Sequence, residues 1–352
     1  MKQHYFFTLL LLAFGFHACQ SPPPPPQEED GKPTLEEYFA PHEPGMQTGG
    51  VKMIPISTPA GDFKVWVQRF GNNPRIKILL LHGGPGATHE YFECVQSFFP
   101  REGFEFIYYD QLGSGNSDHP EGQGDVLWET SRFVEEVEQV RQALGLNKDN
   151  FFIIGSSWGG ILGMEYALKY QQNLKGLIIT NMMASAIDYD NYAKDVLANQ
   201  MDPEVLKEIR EIEANGDFDN PRYMELLIPN FYEEHVLRLP YEEWPEPVLR
   251  SFAKLNPEVY VSMQGPSEFG ISGKLEKWDI KDRLPEITVP TLTIGAAHDT
   301  MDPKHMEWMS TQVKNGRYLH CPNGSHLSMW DDQETWMNGV IQFIKDVDEG
   351  KM

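Results

Sequence analysis

Cysteine is nearly absent from this chain, with three residues among 352. Cys19 belongs to the amino-terminal leader, so only Cys94 and Cys321 remain for the rest. That excludes a disulfide scaffold, and no CxxC pair or Cys/His cluster points to a metal. A single Cys94 to Cys321 bridge is permitted outside the cytoplasm, but sequence does not show whether the two Cα atoms approach, and they are left unpaired. Basic residues are scarce as well: 29 Lys and Arg stand against 52 Asp and Glu, a net charge of -23. A nucleic-acid partner is therefore excluded, because clustered cations would be swamped by the acidic field. The acidity reads as solubility in preference to a lure for cationic substrates. No apolar run is long enough to span a bilayer as a stable helix, since the run from Tyr5 to Phe16 falls short.

What is present supports a sizeable core, with 40% hydrophobic and 12% aromatic residues. The short apolar run after Met1-Lys2-Gln3-His4 is a targeting segment, and residues 1–18 are expected to be removed as a signal peptide. His17-Ala18-Cys19 resembles the lipobox of bacterial lipoproteins, which implies an extracytoplasmic protein, periplasmic or cell-surface, tethered to membrane through a lipidated Cys19. Cleavage nearby as an ordinary secretory signal is the alternative. The prolines from Pro22 to Pro26 and the acidic residues after them form an extended spacer, so residues 19–50 read as tether and lead-in.

From Val51 the pattern becomes that of a folded domain. Phe63 to Val67 alternates as a half-buried strand within an opening antiparallel hairpin. Ile76 to Leu81, Phe104 to Tyr109, Phe151 to Ile154 and Leu177 to Thr180 are continuous apolar runs, as strands buried on both faces of a parallel sheet require. Helical spacing separates them, as in Phe133, Val137, Val140 and Leu144. Strand-like runs resume at Pro290 to Ile294 and Gly316 to His320, before a final helix from about Gln333 to Val347. Alternation of strand and helix means a mostly parallel, doubly wound α/β sheet. The expected division is core residues 51–183, an inserted helical cap over 184–278 rich in acidic, aromatic and proline residues, and the core completed over 279–352.

One motif supplies a nucleophile. Gly155-Ser156-Ser157-Trp158-Gly159 follows a buried strand and precedes a helical pattern, the context of a nucleophile elbow in the α/β-hydrolase fold. Side chains at Gly155 and Gly159 would collide with such a strained turn. A serine hydroxyl needs a base to take its proton and a carboxylate to orient that base, in the chain order Ser, Asp, His for this fold. Asp299, after the strand ending near Ile294, is the expected acid, with Asp302 as runner-up; His326, after the last strand, is the expected base over His298, His305 and His320. An oxyanion needs N–H donors. The loop Leu81-His82-Gly83-Gly84-Pro85-Gly86 offers Gly84, with Gly83 as runner-up, and Trp158 offers the second. It lacks the G-x-x-x-x-G-K-[ST] form of a phosphate loop.

Together His82 to Gly86, Asp110 to Ser117 and Gly155 to Gly160 resemble the proline iminopeptidases, a likeness running from about Val51 to Val347. These are serine aminopeptidases of the α/β-hydrolase fold, closely related to amino-acid amidases. The resemblance implies release of an N-terminal residue, preferentially proline, from small peptides or aminoacyl amides, with no cofactor. It also implies that Glu268, in Met263 to Phe269, holds the substrate's free ammonium. Thr300 stands where a second acidic residue often follows the catalytic aspartate in that family, which loosens the expectation of strict free-amine selectivity. An amidase or small-ester hydrolase is the nearest alternative, and a tethered binding protein that has lost the reaction is one of another class. Asp110 to Ser117 reads as a bracing turn.

Overall fold

A computed structural model describes residues 32–40 and 50–352. The leader, Cys19 and the run of prolines after it lie outside the described residues. Within the lead-in, Leu35–Phe39 form a short helix begun by a capping box between Thr34 and Glu37. Its buried Tyr38 donates to the Phe104 carbonyl at 2.7 Å.

Eight strands make one sheet: β1 (Val51–Thr58), β2 (Gly61–Phe70), β3 (Lys77–Leu81), β4 (Glu105–Asp110), β5 (Phe151–Ser156), β6 (Gly176–Thr180), β7 (Thr291–Ala296) and β8 (Gly316–Cys321). Their spatial order is β1-β2-β4-β3-β5-β6-β7-β8. β1 and β2 pair antiparallel, β2 meets β4 antiparallel, and every other neighbour is parallel. The period-two alternation of strand side chains divides each apolar run between two cores. Leu79, Leu81, Ile107, Tyr109 and Ile153 pack on one face with the helices Thr130–Ala143, Trp158–Tyr170 and Pro303–Gln312. Ile78, Leu80, Phe106, Tyr108, Phe152 and Ile154 pack on the other with the helix Gln333–Asp348 and much of the cap. Cys94 and Cys321 are both buried free thiols.

The insert between β6 and β7 is helical, with Ala186–Tyr192, Pro203–Ala214, Pro221–Leu227, Glu246–Ala253 and Pro257–Met263 as its α-helices. Three of its prolines start helices. Asp202, Asn220 and Asn256 each cap a first turn by accepting a backbone N–H, and each is followed by a proline whose missing N–H costs nothing there. The two ends of the insert meet: Ala186 N–H donates to the Trp278 carbonyl at 2.8 Å, Ile280 N–H to Ala184 at 3.0 Å, and Ser185 bridges to Asp279.

Parallel pairing places the ends of β5, β6, β7 and β8 along one edge, where Ser157, Asn181, Asp299 and His326 follow in the loops. Two glycines allow the elbow to form there. A Cβ on Gly155 would stand 2.1 Å from the Gly159 carbonyl oxygen, and one on Gly159 would stand 1.9 Å from that of Leu81. Both contacts are backbone and have nowhere to move. Gly159→Ala is therefore expected to lower unfolding free energy by about 3 kcal/mol, read from the urea midpoint. An unchanged midpoint would contradict this packing.

Candidate active site

Ser157 leaves β5 with φ 54° and ψ -125°, a strained conformation for a residue with a side chain. The strain is sustained by the buried strand before it and by the helix Trp158–Tyr170 after it. Gly83 lies beside it, since a Cβ there would be 2.9 Å from the Ser157 Cβ. The oxyanion loop and nucleophile are thus in van der Waals reach.

His326 Nδ1 donates to Asp299 Oδ1 at 2.8 Å. Asp299 is 1% exposed and its second oxygen accepts from Asn181 Nδ2 at 2.7 Å. Burial disfavours charge on His326, but Asp299, with a further contribution from Glu268, outweighs it and lifts the imidazole above its ordinary range. With Nδ1 engaged, Nε2 is the nitrogen available to the cavity that His326 and Ser157 both line. The rival residues lie elsewhere. Asp302 caps the helix Pro303–Gln312 through Lys304 N–H, and His305 Nε2 accepts from Ala184 N–H. His320 contacts Tyr318 on edge strand β8, and the His298 carbonyl accepts from His235.

The geometry also separates the two glycine candidates. Gly83 N–H already donates to the Tyr91 hydroxyl at 2.6 Å. The 83–84 peptide, whose N–H is that of Gly84, is held by its carbonyl: Gly83 O receives a bond from His82 Nδ1 at 2.9 Å. The His82 tautomer follows from its other nitrogen, because Nε2 accepts from Gln111 N–H at 3.1 Å. Gln111 Nε2 donates to the His82 carbonyl at 3.0 Å, and Gln111 Oε1 accepts from Trp158 Nε1 at 2.8 Å. One buried glutamine therefore joins the loop bearing Gly84 to Trp158, whose N–H opens the helix after Ser157.

Glu268 is 8% exposed and lines the same cavity. Its Oε1 accepts from Tyr260 OH at 2.6 Å, its N–H donates to Tyr232 OH at 3.1 Å, and its carbonyl accepts from Tyr189 OH at 2.7 Å. Burial raises its carboxyl above the ordinary range, and proximity to His326 and the Tyr260 bond only partly offset this. A buried carboxylate with one side-chain donor favours the arrival of a cation. Thr300 does not share the cavity: its buried hydroxyl lies 3.0 Å from His326 Nδ1 and 3.3 Å from Asp299 Oδ1. The side chain at position 300 thus bears on the Asp299 to His326 pair, and the reading that connected it to amine binding is corrected.

Asn181, Tyr91 and Tyr260 were not singled out by the sequence, and Gln111 stood there only as part of the bracing turn. Asn181 carried one weak signal, being a polar residue directly after a buried strand. Asp110 to Ser117 does brace the edge: Asp110 accepts from His89 Nδ1 at 2.8 Å and from Asn116 N–H at 2.9 Å.

Sheet, elbow and the Asp299 to His326 pair define a serine hydrolase of the α/β-hydrolase class, and residues 77–333 match the family described as the alpha/beta hydrolase fold. Full-length similarity is closer still to one group within it. The chain is 66% identical to a proline iminopeptidase of Flavobacterium johnsoniae over 85% of this chain and 100% of that protein. It is 63% identical to one of Elizabethkingia meningoseptica, over 84% of this chain and 98% of that one. The crystal structure of a Mycobacterium smegmatis proline iminopeptidase superposes with a TM-score of 0.74 at 32% identity, covering 85% of this chain and 100% of that one. This chain belongs to the proline iminopeptidase family.

Gln111→Leu keeps the volume and breaks both side-chain bonds that tie His82 to Trp158. We expect kcat to fall on the order of ten- to a hundredfold with KM little changed, measured by steady-state kinetics. An unaltered kcat would show that the two loops hold their positions without it.

Proposed function

We propose that this protein is a serine aminopeptidase that releases N-terminal proline from small peptides and amides. The observation that carries this reading is the buried Glu268 carboxylate in the same cavity as Ser157 and His326. An ammonium held beside the nucleophile leaves the chain only one direction in which to extend, so only the first residue can be cut off. The family's established members are similar enough over the whole domain to support proline as that residue.

In this reading Ser157 Oγ attacks the carbonyl while His326 takes its proton, and Asp299 holds the imidazole in the required tautomer. The N–H groups of Gly84 and Trp158 receive the developing oxyanion. His326 returns the proton to the departing amine, and water then releases proline from the acyl-enzyme. The apolar leader further supports an extracytoplasmic location, with the spacer tethering the domain to membrane through a lipidated Cys19. Labelling with an alkyne fatty acid should mark the expressed protein, and Cys19→Ser should abolish the mark; undiminished labelling would rule out that anchor.

Proline p-nitroanilide should be cleaved, N-acetylproline p-nitroanilide should lose most of the rate, and Ser157→Ala should abolish turnover. Acid inactivation has two expected sources. The base form of His326 is lost as pH falls through a value above the ordinary imidazole 6.5, lowering kcat/KM. The anionic form of Glu268 is lost as pH falls through a value above the ordinary 4.5, raising KM. Glu268→Gln should raise KM at neutral pH and, by removing a charge that favours the imidazolium, shift the histidine limb toward lower pH. Full activity on the acetylated substrate would sink the aminopeptidase reading.

A further inference from the structure

The cavity that holds Ser157, His326 and Glu268 encloses about 650 Å³, a size that accommodates drug-sized molecules. A prolyl residue spanning Glu268 and Ser157 fills a fraction of it. The remaining wall comes from the cap: Met224, Ile228, Tyr241, Leu249, Phe252 and Leu255 face the cavity, and each is only half-buried. Apolar side chains gathered in a concavity and left half-exposed are a surface waiting to be covered.

Charge in the same wall is one-sided. Glu268 is the one carboxylate among the described residues lining the cavity, none of them is Lys or Arg, and His326 must be uncharged to act as the base. A carboxylate brought against this wall would shed water without gaining a cation, and would do so near a negative charge. A neutral apolar group would pay neither penalty.

We infer that the substrates are N-terminal prolyl compounds whose leaving group is bulky, apolar and uncharged. Amides and peptides with a large apolar second residue and no carboxylate beside the scissile bond are preferred over free dipeptides. This rests on the proposed release of N-terminal proline. Phe252 and its neighbours select the leaving group, while Glu268 selects the amine.

The test is kcat/KM of the unmodified protein on prolinamide, prolyl-glycine amide, prolyl-phenylalanine amide and the two corresponding free dipeptides. The phenylalanine amide should exceed the glycine amide about tenfold, and each free dipeptide should fall about tenfold or more below its amide. Phe252→Ala should bring the ratio between the two dipeptide amides severalfold closer to one. Turnover of prolinamide with equal values across the dipeptide series overturns the inference, as does a ratio that Phe252→Ala leaves unchanged. Failure to turn over prolinamide or any other prolyl compound counts instead against proline release itself.

Discussion

The approach of the helix Trp158–Tyr170 to the end of β3 is the constraint on which the site depends. Gly159 and the Leu81 carbonyl are so close that no side chain fits between them, and Gly155 is equally confined by the Gly159 carbonyl. That contact forces the chain to reverse within a single residue, which is why Ser157 accepts a strained backbone. It also lays the loop from His82 to Gly84 alongside the serine, because that loop begins where β3 ends. Nucleophile, oxyanion loop and helix N-terminus are consequently assembled by one packing event between two neighbouring parallel strands and their helix.

Two buried carboxylates share this region with opposite surroundings. Asp299 is surrounded by donors: Asn181 on one oxygen, His326 and Thr300 on the other. Its partners are protein groups already in place, so it is suited to orienting a base without moving. Glu268 has a single side-chain donor, Tyr260, and burial acts against its charge. A carboxylate in that condition would be stabilised by a cation entering the cavity. The three tyrosines that hold its backbone and side chain keep it from turning toward solvent to satisfy itself.

The fold was legible because its signals are local. Buried parallel strands announce themselves as continuous apolar runs, and the elbow places a glycine, a serine and a glycine at fixed spacing after one of them. Ser157, Asp299 and His326 could be ordered along the chain for the same reason. What escaped depends on contacts between distant positions. Asn181 meets Asp299 across 118 residues of chain, and Gln111 meets Trp158 across 47. Neither belongs to a pattern of period two or 3.6, and an asparagine or glutamine in a loop has many uses. Thr300 misled for a related reason: its place next to Asp299 in sequence fixes where its backbone runs, while the turn decides that its hydroxyl faces the histidine.

The cap is bound into the catalytic edge as well as covering it. His326 N–H donates to the His235 carbonyl and Leu327 N–H to that of Val236, each at 2.9 Å, while His235 Nδ1 meets the carbonyl of His298 at 2.9 Å. The loops carrying the base and its acid are thus hydrogen-bonded to the cap segment that ends at Val236. That segment also contributes Tyr232, whose hydroxyl accepts from the Glu268 backbone. Displacing the cap would therefore disturb Glu268 and the histidine together. The histidine and the buried Glu268 are thus held by one docked segment of the cap, so the position of each depends on how that segment packs.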